Sequence, residues 1–234
     1  MMEPIQQKRR STTDIVYETL KYAIIKMDLP PGERLIEQDI SEKLQVSRTP
    51  LREAIKMLEF EGFVTRNMSG GVKVSELSIS ELKDIYEIER VLEAKAIIDV
   101  AKKWKKGQLS RMEQIVSEIR SGLEREKRSR DDYISEQYLY RYNELNVEFH
   151  MEIVRLYGNT LFLRTLQNIE GKHLRYAHIS FSKDKDRFLN ASEEHVNIFN
   201  LIKKREAEKA AELAFNHKIR AEKIITANLK DFLN

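Results

Sequence analysis

Arg48, Arg52 and Lys56 stand four residues apart, which sets three cations along one face of a helix. Leu51, Ala54, Ile55 and Leu58 recur at helical spacing on another face, so the helix has one side to bury and one to present. Ser47 occupies the N-cap position, where its hydroxyl is expected to accept an orphan N–H of the first turn. Pro50 falls within that turn, where a missing N–H does no harm. A rigid helix that is apolar inward and cationic outward is what entry into the DNA major groove requires. A second group could do different chemistry. Of five histidines, His150, His195 and His217 fall on three separate helical segments, and Asn146 lies four residues before His150 on the same face. Taken alone, histidines dispersed in this way are more often core or surface residues than metal ligands.

The elements around the arginines give them their meaning. Asp14 to Met27 has a strong helical period, and Leu29-Pro30-Pro31-Gly32 breaks it. Arg34-Leu35-Ile36 reads as a very short strand or extended link, and Glu37 to Leu44 as a second short helix. A tight turn at Gln45-Val46 joins that helix to the arginine-bearing one, making a helix-turn-helix pair. Gly62 stops the latter helix. Phe63–Arg66 and Val72–Val74 then flank Asn67-Met68-Ser69-Gly70-Gly71, a hairpin with a glycine-rich tip. Three helices and a β-hairpin wing make a winged helix-turn-helix domain over residues 11–76. Residues 1–10 read as a disordered, mildly basic lead-in.

Residues 77–234 read as wholly helical. Ser78 and Glu81 form a capping-box start, and the first helix runs toward Trp104. Further segments follow at about Leu109–Arg125, Tyr133–Leu156, Thr160–Ser180, Arg187–Lys204 and Ala207–Leu229, with Asn159 placed to cap the fourth helix. Six helices of this length predict an antiparallel bundle, the kind of scaffold that builds ligand sites from facing side chains. The fold class is therefore mainly α, a winged helix-turn-helix followed by a six-helix bundle.

Composition narrows the function. The formal charge is only +3, and residues 1–75 hold 12 Lys/Arg against 11 Asp/Glu, so DNA binding must rest on placed arginines rather than bulk charge. The absence of cysteine excludes disulfides and Cys-ligated zinc. No apolar run approaches the ~20 residues of a membrane span, and the first ten residues lack a signal-peptide core, so no membrane partner and a cytoplasmic location are expected.

The run PPGERLIEQDISEKLQVSRTPLREAIKMLEFEGFVTR resembles the DNA-binding domain of the GntR family of bacterial transcription regulators. The resemblance implies that Arg48 and Arg52 contact bases or phosphates, with Ser47 and Thr49 at the helix start. It also implies that Gly70 or Gly71 approaches the minor groove, and that Gln38 stands where some members carry a backbone-contacting arginine. LNVEFHMEIVRLYGN, EEHVNIFNLIKKREAEKA and AFNHKIRAE resemble the ligand segments of the FCD domain, the effector domain of the FadR-type branch. Six helices rather than seven are closer to its VanR-like subgroup. Carried over residue by residue, the metal ligands are Asn146, His150, His195 and His217, around a divalent ion such as Zn²⁺ or Ni²⁺. Asn146 stands where an aspartate is usual, which leaves the ion its full charge. The family's effector-binding arginine is replaced by Glu89, and Arg90 follows it. A one-residue shift turns a side chain by about 100° on a helix, so Arg90 serves the effector only if it still faces inward.

The expected function is a homodimeric regulator, most simply a repressor, acting on a two-fold operator in double-stranded DNA and controlled by a small carboxylate at the metal. Tyr138, Arg141 and Tyr142 are placed to line the cavity. Two alternatives stay open at this point: a metal-dependent hydrolase with Glu144 or Glu148 as base, and a regulator whose bundle only dimerises.

Overall fold

The computed structural model describes residues 10–68, 70–131, 134–180 and 185–233. Of the expected lead-in only Arg10 falls among them, and Ser69 and Tyr133 lie outside. The chain forms two compact units, residues up to Ser78 with Gly171–His178, and Ile79–Glu170 with the segment from Ile179 onward.

In the first unit, α1 (Thr12–Ile25) starts at a capping box: Ser11 Oγ accepts from the Asp14 N–H and the Asp14 carboxylate from the Ser11 N–H. Strand β1 (Arg34–Leu35) precedes α2 (Glu37–Leu44) and α3 (Arg48–Phe60). The turn between these helices takes its shape from Gln45, which is left-handed at φ 52°, and from Ser41 Oγ, which donates to the Val46 carbonyl at 2.6 Å. Gly62, at φ +80°, ends the α3 region in a conformation that favours glycine. Strands β2 (Val64–Arg66) and β3 (Val72–Val74) form the wing. The extended link before α2 joins them, giving an antiparallel sheet in the order β1-β3-β2, with Leu35 opposite Val72 on one side and Arg66 opposite Val72 on the other.

This small core is fixed by the stripe seen in the sequence. Leu51, Ala54, Ile55 and Leu58 of α3 are fully buried against Val16, Leu20 and Ile24 of α1 and against Phe63 and Val74. The cationic face of α3 is thereby held outward. Part of a later helix, α7 (Thr160–Ser180), belongs to this unit through Gly171–His178. A Cβ on Gly171 would fall 2.7 Å from the tip of the Phe63 ring, so only glycine permits this approach. Arg175 donates to the Ser75 carbonyl at 2.7 Å, and the Tyr176 hydroxyl accepts from the Ser78 N–H at 3.1 Å.

The second unit comprises α4 (Ile79–Lys103), α5 (Ser110–Arg128), α6 (Glu136–Tyr157), the rest of α7, α8 (Lys185–Lys203) and α9 (Ala207–Leu233). Among the described residues, six helices in this region match the count read from the sequence. Helix α4 packs on α9 and α6, α5 on α6 and α8, and α8 on α9. Ala207, Ala210, Ala211 and Ala214 of α9 and Ala96 and Ala101 of α4 are buried, and their small side chains let backbones approach closely. Leu145, Phe149 and Ile153 of α6 and Ile198 and Ile202 of α8 fill the interior. The helices that carry the three histidines are thus locked on their buried faces.

Gly158, left-handed at φ 78°, closes α6, and Asn159 Oδ1 accepts from the N–H groups of Leu161 and Phe162 at 3.0 and 3.2 Å. Asn159→Ala should lower stability by about 1 kcal/mol, the usual worth of an N-cap, with an unchanged denaturant slope. A urea midpoint equal to that of the parent would show that the cap contributes nothing.

Candidate functional site

The N-terminal face of α3 is open. Ser47, Arg48, Thr49 and Arg52 are exposed. Ser47 is at the N-cap with extended backbone (φ −70°, ψ 160°), but its side chain makes no capping hydrogen bond, against expectation. The reason lies three residues on: the N3 position, whose N–H a capping serine commonly takes, is Pro50, which has none. Ser47 thus stands exposed at an uncapped helix start, where a hydroxyl and backbone N–H groups can donate to a phosphate.

No ion pair engages Arg48 among the described residues. Arg52 Nε pairs with Glu37 Oε2 at 2.7 Å, yet the arginine side chain remains 58 % exposed. An exposed pair of this kind contributes at most about 1 kcal/mol, too little to withhold the guanidinium from DNA. Glu37, whose pairing went unnoticed in the sequence, links Arg52 of α3 to the start of α2. Lys56 pairs with Glu53 in solvent at 2.9 Å. Gln38 lies along α2 with its amide donating to Glu42 at 3.1 Å. At the wing tip, Asn67 Oδ1 accepts from the Gly71 N–H at 2.7 Å, and Gly70 is left-handed at φ +83°. Gly70 and Gly71 are exposed, and Arg66, paired with Glu59 at 3.0 Å, stiffens the base of the turn.

Inside the second unit, His150 of α6, His195 of α8 and His217 of α9 converge, with one ring nitrogen from each within 4.8 Å of the others. Each ring has its Nδ1 engaged. His150 Nδ1 meets Glu93 Oε1 at 2.5 Å, His217 Nδ1 meets Glu194 Oε2 at 2.6 Å, and His195 Nδ1 meets the Tyr142 hydroxyl at 3.4 Å. A carboxylate beside Nδ1 fixes the proton there and leaves Nε2 as a bare lone pair. Tyr142 serves either tautomer of His195, because a hydroxyl both donates and accepts.

His195 and His150 accordingly face each other through Nε2 at 3.3 Å. Two zinc–imidazole bonds of about 2.0–2.1 Å at a tetrahedral angle separate their nitrogens by about 3.3–3.4 Å, so the rings are already spaced for one shared ion. The electrostatics agree. Burial holds His195 well below the ordinary imidazole range, reinforced by the neighbouring His217, His150 and Lys218, so it is neutral and able to ligate. Burial also raises Tyr142, which stays a hydroxyl. Burial alone would raise Glu194, but its hydrogen bond to His217 and the neighbouring Arg220 outweigh it and hold the carboxyl below its ordinary range. The donor set fits a borderline divalent ion, since imidazoles suit Zn²⁺ or Ni²⁺ and hard ions want oxygen. Asn146 lies one turn before His150, half-buried.

Other expected residues are disposed differently. Arg90 pairs with Glu222 of α9 at 2.6 Å, and no contact joins it to the three histidines among the described residues. Glu89, one residue earlier, is the buried one, and it binds Lys218 at 3.0 Å. The one-residue offset has the consequence that helical geometry demands. Arg141 turns outward to Glu118 and Glu144, and Tyr138 packs beneath Arg125 at 3.9 Å, so of the three cavity candidates Tyr142 is the one at a histidine. Glu144 and Glu148, the bases a hydrolase would need, are occupied by Arg141 and Arg111. The hydrogen-bond partners Glu93 and Glu194 went unnoticed in the sequence, although Glu194 immediately precedes His195.

Comparison with known proteins bears on both units. The sequence model of the bacterial regulatory proteins of the gntR family matches residues 12–74, and that of the FCD domain matches residues 84–220. The Nta operon transcriptional regulator of Aminobacter aminovorans is 29 % identical over 80 % of this chain and 81 % of its own. The HTH-type transcriptional repressor RspR of Escherichia coli K12 is 24 % identical over 82 % and 79 %. Among solved structures, a GntR regulator from Rhodococcus sp. RHA1 (22 % identical, TM-score 0.73) covers 92 % of this chain and 98 % of its own. E. coli McbR/YncC (17 %, TM-score 0.73) covers 93 % and 98 %, and both share the fold. No helix among the described residues is long and apolar enough to cross a membrane. With an exposed cationic face on α3 in one unit and three converging histidines in the other, the chain belongs to the GntR family of bacterial transcription regulators, in its FCD-domain branch, and is a DNA-binding regulator rather than an enzyme.

Proposed function

We propose that the protein is a metabolite-controlled repressor whose switch is a divalent ion held by His150, His195 and His217, with the Asn146 amide oxygen as a further ligand. The observation that carries this reading is the convergence of three imidazoles from α6, α8 and α9, two of them facing at 3.3 Å through Nε2. When bound, a Zn²⁺- or Ni²⁺-like ion supplies a positive centre with positions open to an anion. Three neutral imidazoles and a neutral amide leave its charge uncancelled by its ligands, which suits a small carboxylate effector. Arg90 reaches such a ligand only by exchanging Glu222 for it.

On the DNA side, a homodimer would set one α3 into each of two major grooves, about one helical turn or 34 Å apart, with Gly70 and Gly71 of each wing at a minor groove. Arg48 and Arg52 supply the base or phosphate contacts, Ser47 and Thr49 contact phosphate at the helix start, and Gln38 gives an uncharged phosphate contact. Effector coupling of about 1–3 kcal/mol would change operator affinity roughly 5- to 150-fold. The named repressor among the relatives lends support to repression as the direction of control.

Three outcomes are expected. Arg48→Ala and Arg52→Ala should each weaken binding to a selected operator by about 10- to 100-fold, as expected for a bidentate contact worth about 1–3 kcal/mol, with helical circular dichroism and Tm unchanged. Undiminished specific gel shifts would refute the α3 assignment. Elemental analysis should find close to one equivalent of transition metal in the parent and a clear deficit in His195→Ala, and equal content in both would sink the ligand assignment. Metal-loaded protein should gain thermal stability with one or more members of a carboxylic-acid panel. A flat response across the panel would favour a bundle that only dimerises.

A further inference from the structure

Lys218 is an unusual residue to find where it is. It follows the candidate ligand His217 directly on α9, yet its side chain is only 6 % exposed and faces α4. Its ammonium lies 3.0 Å from Glu89 Oε2 and 3.7 Å from Glu93 Oε2. The other oxygen of Glu93 meets His150 Nδ1 at 2.5 Å. One carboxylate thus has an ammonium on one oxygen and an imidazole on the other. The line runs Glu89, Lys218, Glu93, His150 and crosses from α4 to α9, back to α4, and on to α6.

A carboxylate engaged at both oxygens cannot turn without breaking one of its contacts. Glu93 is held in this way between the Lys218 ammonium and the His150 ring, and Lys218 is itself anchored by Glu89. With Glu93 fixed, His150 Nδ1 is engaged on the outer side of the ring and Nε2 turns to the centre. We propose that Lys218 is a positioning residue for the metal centre, acting through Glu93 to hold His150 in the tautomer and orientation that ligate the ion. The inference rests on the metal reading given above. In it α9 contributes twice, through His217 as a ligand and through Lys218 behind a ligand of another helix.

The test is a metal-affinity cycle on the full-length protein, using Zn²⁺ competition against a chromophoric chelator. Glu93→Gln keeps an oxygen to accept from Nδ1 while removing the charge, and Lys218→Met removes the ammonium. Each should weaken Zn²⁺ affinity by about 10- to 100-fold, the usual cost of losing a partner behind a ligand. The double variant should be little worse than either single one, because both act on one path. It removes the ammonium and the Glu93 charge together, so it remains informative if Lys218→Met alone does not fold. Imidazole ¹⁵N spectra of the metal-free protein supply a readout that a merely structural lysine would not move. His150 should be the Nδ1–H tautomer in the parent and a mixture in the variants. Parent-like Zn²⁺ affinity in folded Lys218→Met or in the double variant, or fully additive losses, would overturn the role of Lys218 while leaving the metal site standing. A parent protein that binds no Zn²⁺ would overturn both.

Discussion

An imidazole has two nitrogens, and a cluster of imidazoles can share an ion only if something decides which nitrogen each ring offers. In this protein the decision is made on the outer side of every ring. Glu93, Glu194 and Tyr142 each take an Nδ1, Nε2 of His150 faces Nε2 of His195 at 3.3 Å, and one ring nitrogen of each of the three histidines lies within 4.8 Å of the others. Without those partners the same rings would be free to offer either nitrogen to the interior, where Phe149 packs against His150 and His195. The packing of α4, α6, α8 and α9 serves this arrangement: α4 and α8 supply carboxylates, α6 the hydroxyl, and α6, α8 and α9 the rings.

The DNA-facing unit meets the opposite requirement. Its side chains must be rigidly based and yet exposed. Buried Leu51, Ala54, Ile55 and Leu58 fix the axis of α3, whereas its cations stand in water. Net charge plays little part, since acidic and basic residues nearly balance over the first 75 positions. In the function proposed, specific binding rests on a handful of guanidinium and hydroxyl groups beside a helix start that the Ser47 side chain does not cap.

Much of this was legible in the residues. Helical period located every long element, and the stripe on α3 gave both its buried and its presented face. Asn159 caps α7 as its position suggested, and the six helices of the second unit follow from periodicity and junction residues. The histidines were legible as candidates through their motifs, but their convergence depends on how four helices pack, which no local pattern encodes. The missing Ser47 cap was readable in principle, because Pro50 stands at N3. Arg90 shows the limit from another side: spacing announced a 100° change of face, and the partner that receives it, Glu222, is 132 residues away in the chain. Glu93, Lys218 and Glu37 carry no motif. Their parts follow from long-range pairs, and only tertiary structure brings those together.

The central claim is that three Nε2 atoms from three helices hold one divalent ion. X-ray absorption at the metal edge of Zn²⁺- or Ni²⁺-loaded protein addresses it most directly. The account predicts three imidazole nitrogens at about 2.0–2.1 Å, with the multiple-scattering pattern of histidine rings, and oxygen in the remaining positions. A coordination sphere of oxygen alone, or one showing a single imidazole, would contradict it.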